Sequence, residues 1–356
     1  MSTLHVFHRN RVGQVEDLDA VDALKEIAFW LERAQAKSYR VEAFRKAAAA
    51  IGHLSPDEIA AQTRDGRIKR IKGIGDRTYG VIGQAVDGQV PDYLAELREE
   101  GAAPLATGGT ELRAQLRGDL HSHSDWSDGG SSIEEMARAA RWRGREYQVL
   151  TDHSPRLTIA NGLSVERLTE QLDVVAEVDG AYDDFRLLSG IEVDIHDDGS
   201  LDQTDEMLER LDVVVASVHS KLRMDAQAMT RRMMTAVADP HTNVLGHCTG
   251  RLVQGGRGQR PQSQFNAKAV FAACAEFDVA VEINSRPERQ DPPDELIALA
   301  LDAGCLFAID TDAHAPGQLD FLDLGAARAE AGGVPADRIV TTWPVDRLLE
   351  WSHAKR

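Results

Sequence analysis

The sequence predicts an α/β protein in two parts: a small all-α domain over residues 16–100 and a parallel βα barrel over residues 118–350, joined by a linker over 101–117. Three observations predict it. Apolar residues recur every three or four positions in the first hundred residues. A stretch poor in charge and rich in small residues follows. Beyond it, short apolar runs alternate with helical stretches. The chain has 356 residues, enough for two domains or one large barrel with an appendage.

In the helical part the spacing is carried by Val21, Leu24, Ala28 and Leu31, then Val41, Phe44, Ala48 and Ile51, then Tyr93, Leu94 and Leu97. The linker opens with GAAPLATGG from Gly101 to Gly109. The strand-like runs are YQVLT at 147, RLLSGIEV at 186, DVVVASV at 212, NVLG at 243, VAVEI at 279 and CLFAID at 305. Internal repeats are not evident.

The net charge is −18, from 40 Lys and Arg against 58 Asp and Glu, which argues against a surface coated everywhere in nucleic acid. The charge is uneven. Residues 1–100 carry 15 basic and 16 acidic side chains, leaving 25 against 42, or −17, for the rest. No run approaches eighteen apolar residues, so no membrane span is expected. The beginning of the chain, Met1 to Asp22, has no apolar signal core, and a cytoplasmic protein is expected. The three cysteines, Cys248, Cys274 and Cys305, lack C-x-x-C spacing and read as reduced thiols.

Histidines and carboxylates cluster just past the strands. His121, His123 and Asp128 lie in GDLHSHSDWSDGG, His153 in LTDHS, Glu192 in GIEVD, His219 in ASVHS, His247 in LGHCTGR, and Asp312 and His314 in DTDAH. In a parallel barrel the carboxyl ends of the strands meet on one face, so these nine side chains converge. Any one of the histidines alone reads as a core residue; six at strand ends read as a site. Six imidazoles and three carboxylates suit two or three divalent ions, Zn²⁺, Mn²⁺ or Fe²⁺. His5, His8, His53, His196, His241 and His353 fall in helices, termini or loops and are expected to face solvent.

These motifs resemble those of the PHP domain, the polymerase and histidinol phosphatase superfamily. They are matched by His121-x-His123, Asp152-His153, His247 and Asp312-x-His314. The similarity is closer to the PHP domains of bacterial family X DNA polymerases, through ANGL at 160–163, SVERL at 164–168, LSGIEVDI at 188–195, DGSLD at 198–202 and TGRL at 249–252. The resemblance implies a distorted seven-stranded βα barrel with a trinuclear centre. It implies that His121, His123, Glu192 and Asp312 hold one ion. Glu192 would bridge to a second shared with His219 and His247, and Asp128, His153 and His314 would hold the third. Cys248 departs from the pattern, standing where related sequences have proline.

Adjacent divalent ions activate water and neutralise phosphoryl oxygens, so phosphoester hydrolysis is the expected reaction. Arg251 can pair with phosphate in bidentate fashion, and Lys221 supplies a point charge. Arg286 and Arg289 are weaker candidates on a mouth loop, and Asp152 is expected to orient a ligand histidine.

In the helical part, residues 64–86 place Arg64, Arg67, Lys69, Arg70, Lys72 and Arg77 against Asp65 and Asp76, a local +4. Gly73-Ile74-Gly75 permits a tight turn whose backbone N–H groups can meet a phosphate at the start of the next helix. The segment resembles a helix-hairpin-helix motif, with Lys69, Arg70, Lys72, Gly73, Gly75 and Arg77 as expected DNA contacts. YRVEAFRKAA at 39–48 and IKGIG at 71–75 extend the resemblance to the amino-terminal domain of the same polymerases. Between residues 100 and 118 there is room for a linker but not for a palm and fingers, so DNA polymerisation is not expected. The expectation is a metal-dependent phosphoesterase in DNA repair that acts on DNA 3' ends, as a 3'-5' exonuclease or in removing 3'-phosphate and related blocking groups. The alternative is a small-molecule phosphatase of the histidinol phosphate type, acting on a phosphomonoester. A noncatalytic DNA-binding scaffold comes third.

Overall fold

A computed structural model describes residues 18–256 and 258–355. The first two residues of the expected helical domain, together with His5 and His8, lie outside them. The chain divides into two compact units, one ending at Pro104 and the other beginning at Leu105.

Among the described residues the first unit has five α-helices: α1 (Ala20–Arg33), α2 (Ser38–Ile51), α3 (Pro56–Arg64), α4 (Asp76–Val86) and α5 (Asp92–Glu100). Asp19 caps α1 by accepting the Asp22 N–H at 2.8 Å. Ser55 and Glu58 form a reciprocal box at the start of α3, with Pro56 in its first turn. The apolar faces meet in a core that includes Leu24, Ile27, Phe44, Ile51, Ile82 and Leu94. Between α3 and α4 the chain makes a 3₁₀ turn, Arg67–Arg70, and then a hairpin turn pinned by buried Ile68 and Ile74. Gly73 sits there at φ 104°, a conformation that L side chains rarely adopt.

The second unit begins with α6 (Thr110–Gln115) and α7 (Ile133–Trp142), after which strands and helices alternate. They are β1 (Tyr147–Leu150), α8 (Val165–Asp179), β2 (Arg186–Asp194), α9 (Asp205–Leu208), β3 (Val213–Ser217), α10 (Ala226–Ala238), β4 (Val244–Leu245), α11 (Ala267–Glu276), β5 (Ala280–Asn284), α12 (Asp294–Asp302), β6 (Phe307–Asp310), α13 (Leu322–Ala331) and α14 (Val345–His353). All six expected runs are strands, parallel and in sequential order. The strands are buried on both faces, which is why they read as nearly continuous apolar runs. Their side chains alternate between two cores. Val213, Val215, Ala280 and Ala308 fill the interior, while Val214, Ala216, Val281, Ile283, Phe307 and Ile309 meet the helices.

The sheet has six strands where the family resemblance implied seven. The seventh position is held by the segment 117–123, which bonds to both flanking strands but not as a regular ladder. On one side Val149 N–H donates to Asp119 O at 2.9 Å, and Thr151 N–H to Ser122 O at 2.7 Å. On the other, side chains intervene at first: Asp310 Oδ1 accepts the Leu120 N–H at 2.8 Å and Asp119 Oδ1 accepts the Thr311 N–H at 3.1 Å, before the His123 N–H makes a backbone bond to Ala313 O at 2.8 Å. Carboxylates take the place of backbone carbonyls over the first part of this side, so a regular strand is lost while the barrel closes.

Of the stretch expected as a linker, residues from Leu105 belong to the barrel unit. Leu105 N–H bonds Asp323, Gly109 N–H bonds Glu330 at 2.6 Å, and α6 packs on α13. A Cβ on Gly109 would lie 2.4 Å from the Ala327 nitrogen, so the small residue here serves close approach as well as flexibility. Among the described residues no helix is long and apolar enough to cross a membrane.

Candidate metal centre

Interior-facing positions run along each strand in steps of two, and at the carboxyl ends they change from apolar to ligating. On β2, Leu188 faces the interior core and Glu192 follows four residues later. On β3 the series Val213, Val215, Ser217 leads to His219, and on β6 Ala308 and Asp310 lead to Asp312. The nine expected side chains meet there.

Glu192 is at the centre, 1% exposed, with five histidines around its carboxylate. Its Oε2 lies 3.3 Å from His121 Nε2, 3.6 Å from His123 Nε2 and 2.9 Å from His153 Nδ1. Its Oε1 lies 3.1 Å from His219 Nε2 and 2.8 Å from His247 Nε2. Asp128 Oδ1 is 3.4 Å from His153 Nε2 and 3.3 Å from His314 Nε2, and Asp312 Oδ1 is 3.5 Å from both His123 Nε2 and His314 Nδ1. Donor atoms fall within 4.8 Å of one another in three groups: His123, Asp128, His153 and His314; His121, His123 and Asp312; and His153, Glu192 and His219. His123 and His153 each belong to two groups, a sharing that the family resemblance did not imply.

The donor set fits divalent cations. Buried ring nitrogens are costly to leave unpaired. Yet Nε2 of His121, both ring nitrogens of His123 and of His219, Nδ1 of His153 and Nδ1 of His247 make no hydrogen bond. Electrostatics point the same way. Burial opposes charge on His153, but Glu192 and Asp128 outweigh it and push its pKa up to about 10. Burial also opposes charge on His121, where Glu192, Glu282 and Asp312 prevail and raise it well above the ordinary histidine range. Burial, then the neighbouring His314 and His153, drive His123 the other way. Against burial, His219, His121 and His153 hold the Glu192 carboxyl well below the usual range. Negative carboxylates thus recruit protons where cations are wanted. Ions must displace those protons, so affinity for Mn²⁺ or Zn²⁺ should rise as the pH is raised from about 6 to about 8. Calorimetric titration at the two pH values checks this, and equal affinities would contradict it.

Several other side chains depart from sequence expectation. Asp152 was expected to orient a ligand histidine. Instead its carboxylate accepts from Ser124 N–H, Ser124 Oγ, Ser127 Oγ and Gln171 Nε2, anchoring the loop that carries Asp128. His241 was expected at the surface but is buried against Asp239 at 3.0 Å. His53 and His353 are exposed, and His196 is partly so, bonded to Arg156. Arg251 donates to the carbonyls of Arg289 and Gln290, and Lys221 Nζ pairs with Asp197. Arg289 Nε donates to Asp312 Oδ2 at 3.0 Å, and Arg286 Nη1 reaches Asp312 O at 3.0 Å. Cys248 Sγ is buried, 3.9 Å from Asp291 Oδ1.

Residues 119–286 match the family model described as PHP domain, and residues 18–89 match that of a helix-hairpin-helix domain. The chain belongs to the PHP phosphoesterases. It is similar to "DNA polymerase/3'-5' exonuclease PolX" of Bacillus subtilis, 37% identical over 246 residues that cover 68% of this chain. Those residues amount to 42% of that protein, so the chain spans less than half the length of that relative. A "probable phosphatase" of Thermoanaerobacter sp. is 25% identical over 67% of this chain and 95% of its own length. The "probable phosphatase YcdX" of Escherichia coli is 25% identical over 67% of this chain and 94% of its own length.

Sequence reasoning missed Glu282 and Asp194 in the PHP barrel. Asp194 Oδ1 accepts the His219 N–H at 3.1 Å and lies 3.4 Å from the ring Nδ1. Glu282 Oε1 is 2.6 Å from His121 Nδ1. The available signal was an acid inside an apolar strand run, IEVD in β2 and VEIN in β5, at an interior-facing position.

In the helix-hairpin-helix domain, Lys69, Arg70, Lys72, Gly73, Gly75 and Arg77 are all exposed. Lys69 Nζ pairs with Asp76 at 2.7 Å, Arg77 lies 4.5 Å over the Tyr93 ring, and Gly75 N–H bonds Thr78 Oγ1 at 2.9 Å.

Proposed function

We propose that this phosphoesterase acts on DNA 3' ends, as a 3'-5' exonuclease or by removing 3'-phosphate and related blocking groups, with the helix-hairpin-helix domain supplying affinity for DNA in the cytoplasm. The observation that carries the reading is the pairing, in one chain, of that domain and its exposed basic turn with a PHP domain, over a chain similar for 68% of its length to a protein named as a DNA polymerase/3'-5' exonuclease.

His121, His123, Asp128, His153, Glu192, His219, His247, Asp312 and His314 would hold two or three ions, Mn²⁺, Zn²⁺ or Fe²⁺. When bound, these supply Lewis acidity, activating water and balancing charge on a phosphoryl group. Glu192 holds the histidines around it, Asp152 keeps the Asp128 loop in place, and Arg289 and Arg286 steady Asp312. Arg251 and Lys221 engage phosphate oxygens. R251A is expected to raise KM about tenfold, the equivalent of one charged hydrogen bond, with metal content intact. Loss of metal in R251A would assign Arg251 to bracing the loop at 289–290 instead.

Protein reconstituted with Mn²⁺ or Zn²⁺ is expected to hold two or three ions per chain and to lose hydrolysis on chelation. Elemental analysis finding less than one ion would count against the centre. Assays on 3'-hydroxyl DNA, 3'-phosphate DNA and histidinol phosphate, side by side with Mn²⁺, test the substrate. The second reading, a small-molecule phosphatase, is favoured by the −17 carried by residues 101–356. It would prevail if histidinol phosphate alone were turned over.

A further inference from the structure

Every strand of the barrel leads into a candidate ligand except β5. The chain after β1 carries His153, β2 carries Glu192, β3 leads to His219, β4 to His247 and β6 to Asp312, while the closing segment holds His121 and His123. At the equivalent interior positions β5 presents Glu282 and Asn284, both fully buried. Their side chains reach ligand-bearing residues from three other parts of the barrel. Glu282 Oε1 accepts from His121 Nδ1 at 2.6 Å, and Oε2 accepts the backbone N–H of His247 at 2.5 Å. Asn284 Nδ2 lies 3.2 Å from Glu282 Oε2 and 3.1 Å from Asp312 Oδ2, and its Oδ1 accepts the Arg286 N–H.

We propose that Glu282, with Asn284 beside it, is the positioning residue of the metal centre, fixing His121, His247 and Asp312 in register from the one strand that supplies no ligand. The inference rests on the nine-residue centre described above. Both Glu282 oxygens are taken by hydrogen-bond donors, so its task is orientation rather than ligation. A carboxylate can only accept, and therefore His121 carries its proton on Nδ1 and turns Nε2 toward Glu192, 3.3 Å away. Partners of this kind set both the tautomer and the angle of a metal-binding imidazole.

Glutamine tests this because it nearly preserves shape and cannot preserve the bonding. With its amide nitrogen at the Oε2 position it would face two donors, His247 N–H and Asn284 Nδ2. With that nitrogen at the Oε1 position it would force His121 to accept at Nδ1 and point a proton from Nε2 into the centre. For full-length E282Q, Mn²⁺ or Zn²⁺ affinity measured by calorimetry should fall roughly 10- to 100-fold while the far-UV circular dichroism stays that of the wild type. In the zinc-loaded protein the ¹⁵N resonances of the His121 ring should leave the Nδ1–H pattern, a change that a merely structural residue would not cause. N284A, which removes the link to Asp312 and one donor to Glu282, should weaken affinity about tenfold or less, and it decides the matter if E282Q does not fold. Wild-type affinity in both folded variants, or in N284A alone should E282Q not fold, would overturn the proposal. Uptake of less than one ion by the wild-type chain would instead remove the centre itself and this role with it.

Discussion

E192Q is expected to lower kcat/KM by on the order of a hundredfold or more and to lower metal content with it, while H196A stays within about twofold of the wild type. Glu192 is the buried carboxylate that five histidines share, at 2.8 to 3.6 Å. Glutamine leaves those imidazoles without the charge that favours cations among them, and loss of one partner from a buried charge cluster costs about 3 kcal/mol or more. His196 lies four residues further on but turns outward. Its Nε2 is 3.4 Å from Asp202 and its Nδ1 meets Arg156, both at partly exposed positions. Kinetics with a small chromogenic phosphoester and elemental analysis on both variants decide the point. Equal losses would mean that Glu192 is not the shared carboxylate.

The second large effect concerns DNA. The triple variant K69E/R70E/K72E is expected to weaken binding on the order of a hundredfold at low salt and to flatten its dependence on salt, with the log–log slope falling by about 2 to 3. These changes turn the local +4 of residues 64–86 into −2 on an exposed turn. Contacts to phosphate supply affinity without sequence preference, so the loss should be uniform across DNA sequences. Hydrolysis of the small phosphoester should be nearly unchanged, since the nine candidate ligands lie in the other unit. Lys69 already pairs with Asp76, so its reversal also places like charges together at the head of α4. Unchanged binding and cleavage of DNA would reduce the hairpin to a structural turn and put the small-molecule phosphatase reading first.

What was legible in the sequence was whatever repeats at short range. Runs such as VVVA and CLFAI are apolar without interruption because their strands are covered on both faces. The ligand motifs stand out because a histidine or acid directly after such a run falls at a strand end. Contacts that depend on distant partners were not legible. Glu282 meets His121 from 161 residues away, and nothing near position 282 announces the partner. Asp152 stands beside a ligand histidine in the chain, yet its hydrogen bonds run to Ser124, Ser127 and Gln171. The segment at 117–123, RGDLHSH, carries no apolar run, and side-chain carboxylates replace part of the ladder that would have marked a strand. His241 reads as a loop residue until Asp239 is seen to bury with it.

That closing segment also governs when the molecule can be finished. Asp119 waits for Thr311, 192 residues later in the chain, before its carboxylate finds the backbone it binds. At cellular rates of translation the interval is roughly 10 to 40 s. Through that time His121 and His123 have been made but have no Asp312 to face. The helical unit, whose contacts are close in sequence, can fold while β1 is still being synthesised. The barrel cannot, because its first segment and last strand are neighbours. A ribosome-bound chain stalled before residue 307 should therefore carry a folded helical unit and an open, incomplete set of ligands.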